Sequence, residues 1–198
     1  VYKLAPRQAV TTAKFVTTLG VMTNNRFHFG VGVSPWYEDF LATGERWEKR
    51  GKRMDEQIDI LKGLMNGEYF AFKGEFYEIH GAPLEPKPLQ GSMPLMIGGG
   101  GEKVTLKIAA KYADEWNVWG DVDTLIHKMK VLDRHCEDVN RDPSEIARSA
   151  VALLFLTDDE ARIKKLKSMD LQMPAIIGTT SEVIDIVSAY RDAGVDEL

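Results

Sequence analysis

Apolar residues recur along this chain with two alternating periods. In residues 11–19, Ala13, Val16 and Leu19 fall at helical spacing, with Thr11 or Thr12 as N-cap and Gly20 near the end. Residues 27–33 then alternate with period two and stop at Ser34-Pro35, which predicts a strand running into a loop. Trp47, Arg50, Met54, Ile58, Leu61 and Met65 predict a long amphipathic helix. Residues 69–72 and 75–79 flank Lys73-Gly74 and predict a hairpin, a small excursion at about 68–80, after which Pro83, Pro86 and Pro88 return the chain in extended form. The alternation then resumes. A short strand at 94–97 leads through consecutive glycines to a helix over 102–112, and a strand at 116–119 precedes a helix marked by Leu125, Met129, Leu132 and Cys136. A continuous apolar strand follows at 151–156, with Asp158-Asp159-Glu160 suited to a helix N-terminus. A last helix covers 181–192, with Gly194 behind it and Val195 opening another strand.

Continuous apolar strands separated by helices indicate an α/β fold whose parallel sheet is covered on both faces. With no fixed-period repeat, low-complexity tract or linker, residues 1–198 read as one domain. Composition narrows the class: 44% hydrophobic and 28% charged residues exclude disordered, collagen-like and disulfide-scaffold chains. The net charge of −5 argues against a general nucleic-acid binder, and the basic run from Lys49 to Arg53 lies in a helical pattern, where it reads as a solvated face. A single cysteine excludes an intrachain disulfide and suits a reducing cytoplasm, and no segment approaches the roughly 20 apolar residues that span a bilayer. The chain starts at Val1 and stops at Leu198 within an apolar run, so it is expected to be a fragment.

The sharpest chemical signal is Gly98, Gly99, Gly100 and Gly101 between a strand and a helix. Bare backbone lets several N–H groups converge on one anion, and a phosphate is the natural guest; the plain alternative is a flexible connection. No Gly-Lys-Ser/Thr follows, which excludes a P-loop, and the spacing is not that of a Rossmann turn. Gly30 and Gly32 share a strand face with His28 and Ser34, leaving room either for a flat group or for close packing of layers. His28 reads as a core or layer histidine. Trp36 and Tyr37 follow the carboxyl end of that strand, where they wall a substrate pocket or cover the core. One of Trp116 and Trp119 is expected between helix and sheet, and Asn117 needs a partner if buried, which makes it a ligand candidate. Thr179 and Glu182 have the spacing of a capping box. His80, His127 and His135 lack metal-ligand spacing, so no metal is expected, and Cys136 reads as an inert core thiol. No triad and no acid or base stands out, so the catalytic residues are unassigned.

The ordered series of motifs resembles the luciferase-like monooxygenases, a family with FMN-dependent monooxygenases and 5-deazaflavin (coenzyme F420) oxidoreductases. The matching segments are Asn25 through Val33, Arg50 through Leu64, Gly74-Glu75-Phe76-Tyr77, Pro83 through Pro88, Ile97 through Gly101, Ala109 through Asn117 and Asp192 through Asp196. The resemblance implies a (β/α)8 TIM barrel of the luciferase-like type, incomplete here in its N-terminal strands and the end of its last strand. It implies FMN or coenzyme F420 at the carboxyl ends of the strands, the phosphate on Gly98 to Gly101 and the ring near Gly30 and Gly32. The hairpin matches the family's excursion. Deazaflavin sugar-phosphate dehydrogenases of the family carry a glutamate proton donor where this chain has Pro35-Trp36, which argues against that chemistry. The implied activity is hydride transfer through a deazaflavin, or FMN-dependent oxygenation, of a small organic substrate, with a homodimer as the assembly. A non-catalytic cofactor-binding or dimer-partner subunit, and a barrel enzyme acting on phosphorylated metabolites, are the alternatives.

Overall fold

Polar side chains decide several element boundaries that apolar spacing alone misplaces. The computed structural model describes residues 1–89, 91 and 93–198, which divide into two units, Val1–Gly98 and Gly99–Leu198. The first contains, in order, β1 (Tyr2–Lys3), α1 (Ala9–Met22), β2 (Phe29–Gly32), α2 (Tyr37–Thr43), α3 (Arg50–Asn66), β3 (Phe70–Lys73), β4 (Glu78–Ala82) and β5 (Leu95–Gly98). Strands β1, β2 and β5 are parallel, with Tyr2 opposite Val31 and Gly30 opposite Met96. Helix α1 begins earlier than expected because the Gln8 side chain, not Thr11 or Thr12, accepts the Thr11 N–H at 2.6 Å. Thr12 and Thr17 face inward instead, their hydroxyls donating to the carbonyls of Gln8 at 2.8 Å and Ala13 at 2.9 Å.

The solvated face expected at residues 49–53 holds for Lys49 and Lys52, which are exposed, and fails at Arg53 on the inner side of α3. Arg53 is only 3% exposed; its guanidinium lies 3.6 Å from Glu45 and over the Phe76 ring. Gln57, fully buried, donates to the Arg7 carbonyl at 2.6 Å and to the Tyr77 hydroxyl at 2.8 Å. Polar residues thus share the inner face with Met54, Ile58, Leu61 and Leu64. The hairpin pairs Lys73 with Glu78, so its turn spans Gly74 to Tyr77 rather than Lys73-Gly74. Glu56 on α3 explains the shift: its carboxylate accepts the N–H groups of Glu75 at 2.6 Å and Phe76 at 3.0 Å. Helix α2 was not anticipated; its seven residues end on Gly44 in the left-handed region at φ 71°.

The second unit contains α4 (Thr105–Tyr112), β6 (Glu115–Trp119), α5 (Val122–Asp138), β7 (Ala147–Val151), β8 (Leu153–Leu156), α6 (Glu160–Lys167), β9 (Ala175–Gly178) and α7 (Thr180–Asp192). Strands β6 and β7 run parallel, as do β8 and β9. The apolar run 151–156 is therefore not one strand: it breaks at Ala152, and its two parts pair with different neighbours. The strand expected at Val195 contracts to a single bridge between Ser149 and Glu197. Helix α4 starts at Thr105 rather than at 102, because Glu102, Lys103 and Val104 form turns. Trp116 is buried, whereas Trp119 is exposed. Burial raises the pKa of the Cys136 thiol, keeping it protonated within the α5 core stripe. Among the described residues no helix is long and apolar enough to cross a membrane.

The capping box forms as expected: Thr179 Oγ1 accepts the Glu182 N–H at 3.4 Å, and the Glu182 carboxylate accepts the Thr179 N–H at 2.8 Å. Thr179→Ala should lower stability in urea denaturation by about 1 kcal/mol, with Thr179→Ser close to wild type. An unchanged midpoint in Thr179→Ala would contradict this role.

Candidate functional site

In the second unit, two side-by-side contacts hold the glycine run. Gly99 donates its N–H to the Asn117 carbonyl at 2.9 Å, and the Trp116 indole N–H donates to the Gly99 carbonyl at 2.9 Å. Gly99 sits at φ 126°, a conformation open to glycine and strained for other residues. A Cβ on Gly101 would stand 3.0 Å from Thr105 Oγ1, and one on Gly99 3.3 Å from Thr105 Cγ2. The bare backbone therefore curls round the Thr105 side chain. Among the described residues the amides of Gly100 and Gly101 have no acceptor. The loop presents these amides beside a hydroxyl, a set that suits a phosphate oxygen.

Charged residues that spacing along the sequence did not reveal surround this loop. The Lys128 ammonium donates to Glu102 Oε1 at 2.5 Å, and His127 Nε2 lies 3.0 Å from the same oxygen. Both partners hold the Glu102 carboxyl below the usual range. His135 Nε2, in turn, contacts the Glu102 backbone carbonyl at 2.9 Å. Lys128 Cε would lie 3.8 Å from a Cβ on Gly100. Asn117 does find a partner: its side-chain N–H donates to Ser149 Oγ at 2.7 Å, and that hydroxyl donates to Glu115 at 2.5 Å.

In the first unit, the carboxyl ends of β1 and β2 carry a second polar group. Ser34, buried and at φ 69°, donates its hydroxyl to Asp39 Oδ2 at 2.5 Å, and Lys3 Nζ donates to Asp39 Oδ1 at 2.8 Å. These donors hold the Asp39 carboxyl below its ordinary pKa. Asp39 lies in the first turn of α2, a helix that apolar spacing did not reveal, so nothing in the sequence marked it. A Cβ on Gly30 would come 2.5 Å from Met96 Cε, and one on Gly32 or Gly98 within about 3.1 Å of Val1, so side chains cover these glycines. Trp36 is 60% and Tyr37 50% exposed, and Tyr37 meets Trp47 edge-on with ring centroids 5.7 Å apart. His28 is exposed, not a core histidine. A cleft of about 760 Å³ lies between the α2–α3 connection and the hairpin turn, lined by Glu45, Lys49, Arg53, Glu75 and Tyr77 among others.

The luciferase-like monooxygenase family model matches residues 1–170. This chain belongs to that family. An uncharacterized protein of Mycobacterium tuberculosis is 41% identical over 136 residues, covering 67% of this chain and 46% of that protein. The FMNH2-dependent dimethylsulfone monooxygenase of Pseudomonas putida is 34% identical over 162 residues, covering 79% of this chain and 44% of that enzyme. The matched stretches thus span less than half of these curated relatives. Among solved structures, an F420-dependent secondary alcohol dehydrogenase superposes with a TM-score of 0.81 at 18% identity, covering 96% of this chain and 68% of that one. At that identity the likeness concerns the fold, which is the parallel α/β barrel of the luciferase-like enzymes.

Two outcomes follow for this luciferase-like chain. Trp116→Phe leaves the Gly99 carbonyl without its donor and should cost about 1–3 kcal/mol of stability in chemical denaturation; wild-type stability would contradict the contact's role. The lowered pKa of Asp39 means its ionised form is favoured in the folded state, so that contribution is present above the usual carboxylate range and is lost as the pH falls through the lowered value. Asp39→Asn should therefore be less stable than wild type near neutral pH, with the difference shrinking below about pH 4. A pH-independent difference would contradict it.

Proposed function

We propose that the protein is an oxidoreductase that uses FMN or coenzyme F420, working as one barrel domain on a small organic substrate. The observation that carries this reading is the Gly99–Gly101 loop, whose Gly100 and Gly101 amides have no acceptor among the described residues and in which a Cβ on Gly99 or Gly101 would crowd the Thr105 side chain. Gly100, Gly101 and Thr105 would hold the cofactor's phosphate, with Gly98 assigned to the same group and Gly30 and Gly32 to the ring by family likeness. The donor set is uncharged and convergent, which fits a phosphate monoester or diester equally well.

When bound, the cofactor supplies hydride transfer in its deazaflavin form or oxygen activation as a reduced flavin. The chain's own residues fix the phosphate end and restrain the loop through Trp116 and Asn117. Trp36 and Tyr37 are proposed for the substrate side, in keeping with their exposed aromatic surfaces. A homodimer in the cytoplasm is the proposed setting. Names of relatives support both cofactors: one sequence relative is FMNH2-dependent, and one structural neighbour is F420-dependent.

Fluorescence titration of the full-length protein with FMN and with coenzyme F420 should give binding of one of them at micromolar concentration. Binding of neither would refute the proposal. Turnover of a small organic substrate with the reduced cofactor then separates an enzyme from a non-catalytic binding subunit.

A further inference from the structure

The cationic side chain beside the glycine loop has a carboxylate as its present partner. Lys128 reaches from α5 to the Gly100 backbone, its Cε 3.8 Å from where a Cβ would stand, which is van der Waals contact with the loop. Its side chain is 22% exposed, whereas that of Glu102, whose Oε1 accepts the hydrogen bond of the Lys128 ammonium at 2.5 Å, is 40% exposed. Glu102 follows the glycine run directly, and its backbone carbonyl is fixed by His135 at 2.9 Å while its side chain reaches solvent. A dianionic or monoanionic phosphate on the Gly100 and Gly101 amides would lie within reach of the same ammonium that Glu102 engages.

We propose that Lys128 is a phosphate-binding residue and that Glu102 competes with the phosphate for it. This rests on the cofactor assignment above and adds to it a specificity device. Glu102 neutralises Lys128, and so leaves weakly held anions without a free cation. A ligand that also bonds two backbone amides and the Thr105 hydroxyl gains enough to displace the carboxylate, whereas a free anion lacking the ring's contacts does not. The arrangement thereby selects for phosphate attached to a cofactor over phosphate alone. An ammonium–phosphate hydrogen bond is charge-assisted, and its loss is felt only by ligands that carry the phosphate.

The test compares FMN with riboflavin, and coenzyme F420 with its phosphate-free deazaflavin riboside, by fluorescence titration of the full-length protein and its variants. For whichever phosphorylated cofactor binds, Lys128→Met should weaken binding by at least about tenfold while leaving the phosphate-free partner unchanged. Lys128→Arg should restore most of the affinity, and Glu102→Gln should tighten phosphorylated-cofactor binding. Equal effects on both members of a pair, or no effect of Lys128→Met, would overturn the assignment of Lys128 while leaving the cofactor reading intact. Weaker binding in Glu102→Gln would overturn the competition. If none of the four compounds binds wild type, the cofactor reading fails and this inference falls with it. Circular dichroism of each variant, expected to match wild type, shows that the titrations report on the site rather than on folding.

Discussion

The candidate site depends on the fixing of one peptide unit. Gly99 gives its N–H to Asn117 and takes the indole N–H of Trp116 on its carbonyl, so both polar groups of this residue are committed to β6. That double attachment holds a positive φ that other residues would resist, and the next two amides are left without a backbone acceptor among the described residues. Buried Trp116 makes the attachment rigid, since the indole cannot move without disturbing the layer between β6 and its covering helices. The side chain of Trp116 and the backbone of the strand residue Asn117 thus fix where the loop backbone stands.

Polar groups play a similar positioning role in the first unit. Gln57 and Arg53 bring the inner face of α3 to the carbonyls of Arg7 and Ala5, and Glu56 gathers the hairpin turn. Each is a buried or half-buried donor or acceptor matched to a backbone partner, which makes it costly to move and specific in register. The Ser34–Asp39–Lys3 group extends this logic to the strand ends, where a left-handed serine places its hydroxyl on a carboxylate. Loops that would otherwise be free to vary are thereby tied to the scaffold.

Much of this architecture was legible in the sequence, and the reasons for the remainder are physical. Period-two and helical spacing located β2, α3, α5 and α7, and the Thr179–Glu182 spacing gave its capping box. The glycine run stood out because consecutive glycines are costly unless backbone shape requires them. Spacing failed where polar atoms set the geometry: Gln8 in place of a threonine cap, Arg53 and Gln57 on a buried face, and a turn moved by Glu56. It also failed at 151–156, where apolarity marks burial without saying that two strands meet there. Lys128, Glu102, Ser149 and Asp39 were invisible because their partners lie far along the chain or look like ordinary surface charges. Family resemblance carried the barrel and the cofactor class beyond what spacing could give.

The central claim is that the Gly100 and Gly101 amides receive the cofactor's phosphate. Selective 15N-glycine labelling of the full-length protein, followed by titration with the cofactor that binds, tests it directly. The account predicts that the Gly100 and Gly101 amide resonances shift with a phosphorylated cofactor and far less with its phosphate-free counterpart, as expected for new N–H to phosphate hydrogen bonds. Saturating binding that leaves these two resonances in place would contradict it.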